Sequence, residues 1–211
     1  SRMSKRLLDA GHELVVCDTS KANIDKMVAL GATVADTPSE LVSKADVIFS
    51  MIPNALILKS IVCGKNGLIE AMPKGYIYVD MSTIDPDSSA EVGAEIEKTG
   101  ARFLRATVTG STEFADEGTL GIMVSGSKDA YDDVLPLLKH IGNRQHYLGT
   151  NEESRYMKII INMMIGTSMQ MISESLVLGE KAGLDWKTMV DCICDSAAAS
   201  PIIKAKSDMF K

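Results

Sequence analysis

The chain has 211 residues, 45% hydrophobic and 24% charged, a balance that excludes disordered and collagen-like proteins and expects a soluble globular one. Its 22 basic and 28 acidic residues leave a formal charge of −6, so no positive surplus exists to bind nucleic acid or an anionic membrane surface. Four cysteines and three histidines fall in no zinc-ligand spacing, no apolar run approaches the roughly 20 residues of a membrane span, and no signal peptide shows, so reduced cysteines in a cytoplasmic protein are expected.

In chain order, Arg2 to Ala10 reads as a helix closed by Gly11, and Glu13 to Cys17 as a short buried strand ending at Asp18. Ser20 to Leu30 is helical, Gly31 closes it, and Ala32 to Val34 forms a further short strand. Thr37-Pro38-Ser39-Glu40 starts the next helix by a known device: Thr37 caps, Pro38 takes the first helical position and Glu40 reaches back to open backbone amides. Asp46 to Ile52 and Tyr76 to Met81 are apolar runs, stopped by Pro53-Asn54 and by Ser82, Thr83 and Asp85-Pro86. Strands apolar throughout and separated by helices are those of a parallel sheet covered on both faces.

Asp85 caps a helix from Ser88 to Lys98. Then come a strand at Arg102 to Ala106, a polar loop from Thr107 to Gly118, a strand near Ile122 to Val124, a helix from Asp129 to His140 and a strand from His146 to Leu148. From Glu152 to Ala182 no proline occurs and apolar residues keep helical spacing, far beyond the usual three or four turns. A helix of that length joins domains. Trp186 to Ser196 begins another. The expected architecture is α/β: a Rossmann-like doubly wound parallel sheet over 1–148, then over 149–211 a long interdomain helix and the start of an all-α domain.

Asp18 stands where a nucleotide-binding unit places the acid for the ribose hydroxyls, although a strand-terminal aspartate is also an ordinary helix cap. Ile52, Pro53 and Thr83 lie at carboxyl ends of strands, the edge where open α/β sheets bind ligands. Thr109, Gly110 and Ser111 are small, so their amides and hydroxyls can converge on a carboxylate, or form a plain loop. Lys158 precedes Asn162 by four on the long helix, so both project from one face. An ammonium held there can protonate a carbonyl oxygen as hydride reaches the carbon, or it can be a boundary lysine with its head in water. Met157, Met163, Met164, Met169 and Met171 on this helix read as core or subunit-interface filling.

Taken together, Asp80-Met81-Ser82-Thr83-Ile84-Asp85-Pro86, Arg102-Phe103-Leu104 leading to Thr109-Gly110-Ser111, Gly118-Thr119-Leu120, and Lys158 with Asn162 resemble the 3-hydroxyisobutyrate dehydrogenase family over essentially the whole chain. Gly179 to Leu184 and the alanine-rich stretch ending in Ser200-Pro201 are most similar to its glyoxylate/succinic semialdehyde reductases. The resemblance implies hydride transfer between a nicotinamide and a small aldehyde acid or hydroxy acid. Lys158 takes the catalytic position, Asn162 assists it, Thr109, Gly110 and Ser111 hold the substrate carboxylate, and Asp18, Ile52, Pro53 and Thr83 meet the cofactor. A homodimer or homotetramer is implied as well, while the cysteine and histidine spacing already led to no metal being expected.

Thr107, Thr109 and Ile161 depart from the family's proline, serine and asparagine. Asp18-Thr19 replaces the Asn-Arg pair that takes the 2′-phosphate of NADP, which favours NAD(H), with NADP(H) left open by the nearby Lys21. The family opens with a strand and a G-x-G-x-x-G turn, whereas the first glycine here is Gly11. Ser1 is therefore expected to align just after that turn, and Lys211 to precede further helices. Two other readings share much of the fold: a decarboxylating 6-phosphogluconate dehydrogenase-like enzyme, which needs a basic cluster that Thr109 to Gly118 lacks, and a non-catalytic dehydrogenase-like interaction module, against which Lys158 and the acidic charge argue.

Overall fold

Local chemistry starts the helices where the sequence places a capping residue. Thr37 accepts the N–H of Glu40 with Pro38 in the first turn, and the Glu40 carboxylate accepts the N–H of Asp36 at 2.7 Å. The first bond satisfies an amide that the helix start leaves open, and the second ties the residue before the cap to the first turn. Asp85 accepts the N–H of Ser88 ahead of Pro86 in the same way.

The computed structural model describes residues 2–211, which divide into two compact units, 2–158 and 159–211. In the first unit the order is α1 (Arg2–Asp9), β1 (Val15–Val16), α2 (Lys21–Val28), β2 (Thr33–Val34), α3 (Pro38–Lys44), β3 (Val47–Ser50), α4 (Ala55–Cys63), β4 (Ile77–Asp80), α5 (Pro86–Lys98), β5 (Arg102–Thr109), α6 (Thr112–Glu117), β6 (Gly121–Gly126), α7 (Lys128–Ile141), β7 (Arg144–Gly149) and the opening turns of α8 (Glu153–Lys181). β1 and β2 pair in parallel as a small sheet, while β3-β4-β5-β6-β7 form the main one in that order. β3, β4 and β5 are parallel, as are β6 and β7.

The β5 and β6 strands run antiparallel, unlike the uniformly parallel sheet expected, because residues 110–120 make too short a link for the dozen or more residues of a parallel crossover. The expected polar loop from Thr107 to Gly118 is instead the end of β5 followed by α6. Pairing with β6 sets Thr107, Val108 and Thr109 opposite Met123, Ile122 and Gly121. Helix α4, capped by Asn54 accepting from Ile57, and the short helix Pro201–Lys206 were not read from the sequence.

Alternation along the strands divides the core between the sheet's two faces. Val79, Leu104 and Ala106 pack with Leu7 of α1 and with Val134 and Leu138 of α7, whereas Tyr78 and Phe103 pack with Leu58 of α4 and with Val92 and Ile96 of α5. This is the two-sided burial that apolar parallel strands require. β1 and β3 are not paired with each other. A cavity of about 1730 Å³ opens against both, lined by Leu7, Val15, Asp18, Phe49 and Met51 among others.

The second unit holds the remainder of α8 with α9 (Trp186–Asp195) and α10 (Pro201–Lys206). Its core is Ile172, Leu176, Met189, Val190 and Ile203, each such side chain contributing about 1.5–3 kcal/mol by burial. Met169 packs against this core, while Met163, Met164 and Met171 are exposed. The first unit includes the start of α8, whose first turn is hydrogen-bonded to the main sheet.

Candidate active site

Two turns at the carboxyl ends of β3 and β4 lie side by side. Ser50 closes β3, and its hydroxyl donates to Asp80 Oδ1 at 2.5 Å. The Ser82 hydroxyl donates to the same oxygen at 2.6 Å and accepts the N–H of Ile52 at 2.9 Å. These bonds hold the Ile52-Pro53 turn against the turn carrying Thr83. Pro53 and Thr83 are exposed, Ile52 half-buried.

Asp18 follows β1, is exposed, and lines the cavity together with Ser50 and Met51. Its carboxylate accepts the Ser20 N–H at 2.8 Å and the Asn23 side-chain amide at 3.2 Å, while Ser20 itself caps α2. A carboxylate has about four acceptor positions, so two bonds leave capacity for hydroxyl donors.

Lys158, in the second turn of α8, is half-buried and donates from Nζ to the carbonyl of Val108 at 2.7 Å. That carbonyl immediately precedes Thr109, Gly110 and Ser111, so the structure brings the candidate lysine to the candidate carboxylate loop. Burial alone pushes the lysine below its ordinary range, because a desolvated ammonium is disfavoured. Gly110 has φ +135°, and a Cβ there would stand 2.8 Å from the Leu120 side chain and 2.9 Å from that of Phe114. Only glycine takes this path without strain. Ser111 also donates to Glu113, whose carboxyl is held below its usual range chiefly by that bond. Asn162 is exposed on α8 within the second unit.

Residues 1–149 match the family model described as the NAD binding domain of 6-phosphogluconate dehydrogenase. Residues 153–211 match the one described as NAD-binding of NADP-dependent 3-hydroxyisobutyrate dehydrogenase. The chain belongs to the 3-hydroxyisobutyrate dehydrogenase family. Glyoxylate/succinic semialdehyde reductase 2, chloroplastic, of Arabidopsis thaliana is 34% identical over 206 residues, which are 98% of this chain and 58% of that protein. Glyoxylate/succinic semialdehyde reductase 1 of the same plant is 33% identical over 204 residues, 97% of this chain and 71% of the relative. The 3-hydroxyisobutyrate dehydrogenase of Mycobacterium tuberculosis, solved with L-serine, superposes with a TM-score of 0.87 at 26% identity over 98% of this chain and 70% of that one.

Both matched regions of this 3-hydroxyisobutyrate dehydrogenase family member are nicotinamide-dinucleotide modules. One donor-accepting group fits such a cofactor: the exposed Asp18 carboxylate keeps free acceptor capacity for hydroxyl donors. Among the described residues no group of histidine, cysteine and acidic side chains could hold a metal ion. Among the described residues no helix is long and apolar enough to cross a membrane.

Arg155 was not singled out from the sequence, yet it is fully buried one turn before Lys158. Glu152, Glu153, Ser154 and Lys158 surround it in the sequence, so nothing local set this arginine apart from an ordinary polar helix start.

Proposed function

We propose that the full-length protein is an oxidoreductase that interconverts a small aldehyde acid and its hydroxy acid, of the glyoxylate, succinic semialdehyde or 3-hydroxyisobutyrate type, with a nicotinamide dinucleotide. The supporting observation is the half-buried Lys158 bonded to the backbone at the head of the Thr109-Gly110-Ser111 loop. A substrate carboxylate on that loop sets its carbonyl carbon a short reach from the ammonium. Lys158 then donates a proton to the carbonyl oxygen in reduction and, as the neutral amine, accepts it back in oxidation. The bound nicotinamide supplies or accepts the hydride. Asn162 is the assisting amide in this reading.

Asp18, Ile52, Pro53 and Thr83 are the cofactor-holding residues. The Asp18 carboxylate suits ribose hydroxyls and repels a 2′-phosphate, which favours NAD(H) over NADP(H). The enzyme works as a homodimer or homotetramer on a small-molecule carboxylate, and its four free cysteines suit a reducing cytoplasm.

Absorbance assays with NADH and NADPH against a panel of aldehyde acids test the reading. Turnover with at least one of them is expected, faster with NADH, and Lys158→Ala should lower kcat by about 10²–10⁴-fold with the fold intact. An alanine variant as fast as the parent would remove Lys158 from the chemistry.

A further inference from the structure

Beneath the site lies a charged pair that the proposed chemistry does not use. Asp80 at the end of β4 and Arg155 in the first turn of α8 pair at 2.5 Å, with both side chains wholly out of solvent. Arg155 Nη1 donates to the Ser82 carbonyl at 2.5 Å and its Nε to the Ser89 hydroxyl of α5 at 3.1 Å. The other oxygen of Asp80 collects the Ser50 and Ser82 hydroxyls, and Ser82 holds the Ile52 N–H. One carboxylate therefore gathers the two cofactor-side turns, and one guanidinium binds that assembly to the helix that carries Lys158. Arg155 precedes Lys158 by three positions, so the two lie about one turn apart on the same side of α8.

Buried ion pairs are weak stabilisers, since their desolvation offsets most of the Coulomb gain.

We propose that Asp80 and Arg155 are a positioning pair that sets where the Lys158 ammonium stands relative to the turns carrying Ile52, Pro53 and Thr83. The inference rests on the catalytic reading of Lys158. Arg155 acts through the backbone of α8 and touches no reacting atom. With the pair in place, the turn bearing Lys158 keeps its bond to the Val108 carbonyl and its partial shelter from water. No charged group contributes to the lysine's lowered pKa, which has burial as its one cause. Loosening the turn admits water and lets the pKa rise toward the ordinary value.

The test uses the full-length enzyme with saturating NADH and an aldehyde acid that it turns over. The double variant Asp80→Asn/Arg155→Gln keeps hydrogen-bonding groups while removing both charges, so no lone buried charge is left behind. Circular dichroism and thermal melts establish folding. The expected result is a kcat lower by about 10–100-fold, as a misplacement near 1 Å produces, KM for the aldehyde acid changed by less than about 3-fold, and an alkaline limb of the kcat profile moved to higher pH. Arg155→Lys should recover part of the loss because it keeps the pair while losing the Ser82 and Ser89 bonds.

Should the double variant not fold, Arg155→Lys and Ser89→Ala carry the same measurements, with smaller shifts in the same direction. Folded variants with the parent's kcat and an unmoved alkaline limb would overturn the positioning role. The underlying reading fails separately: Lys158→Met at full activity sinks it whatever the Arg155 variants do, whereas an inactive Lys158→Met beside unaffected pair variants sinks the positioning role alone.

Discussion

At Lys158 a single side chain links burial to a pH signature. Its pKa is lowered by desolvation, and reduction needs the ammonium form while oxidation needs the free amine. The reduction rate should therefore fall as pH rises through the lysine's pKa, at a pH below the ordinary lysine range, and the oxidation rate should rise through the same point. Opposite limbs at one pH are the expected outcome of paired pH–rate profiles; parallel limbs would exclude Lys158 as the titrating group. Gly110 makes a second residue-scale prediction. Gly110→Ala forces a Cβ into the Leu120 and Phe114 side chains at a φ of +135°, which should cost about 1–3 kcal/mol of stability, read by denaturant titration, and raise KM for the carboxylate substrate.

The first turn of α8 is the element on which the site depends. Ser154 donates to the Met123 carbonyl at 2.6 Å and accepts the Thr107 N–H at 3.1 Å, and Ser125 donates to the Asn151 carbonyl at 2.7 Å. Glu152 pairs with Arg105, which also stacks over the Phe103 ring at 4.2 Å. That second pair is poorly completed, because Arg105 Nε and Glu152 Oε2 are buried without a hydrogen-bond partner. The double replacement Arg105→Met/Glu152→Leu should accordingly be neutral or stabilising by up to about 4 kcal/mol, whereas Glu152→Leu alone should destabilise by about 3–5 kcal/mol. Chemical denaturation of the three proteins checks this, and equal losses in the single and double variants would contradict it. The helix itself was legible from spacing, and so was the lysine upon it. Its polar anchors were not, since serine and arginine in a helical pattern carry no mark of the strand they will meet.

At the scale of the whole molecule, the small β1-β2 sheet and the five-stranded sheet flank a cavity of about 1730 Å³ with Asp18 at its wall. Dinucleotide phosphates are held by backbone amides of a glycine-rich turn at a helix start. No G-x-G occurs anywhere in these 211 residues, so as they stand they should bind NADH more weakly than micromolar. Isothermal titration measures this directly, and a micromolar Kd would show that the described residues suffice to cradle the phosphates.

Alone, the sequence determined the helix starts at Thr37 and Asp85, the strands buried on both faces and the long proline-free helix, because each follows from interactions within a few residues or from a simple period. It also marked Lys158 and the Thr109-Gly110-Ser111 loop as separate candidates. Only the tertiary structure decided that the Val108 carbonyl brings the two together across 50 residues of chain, that β6 turns back antiparallel, and that Asp80 finds Arg155 75 residues later. Such pairings are selected by packing and desolvation between distant segments, and no local pattern encodes which segment will arrive.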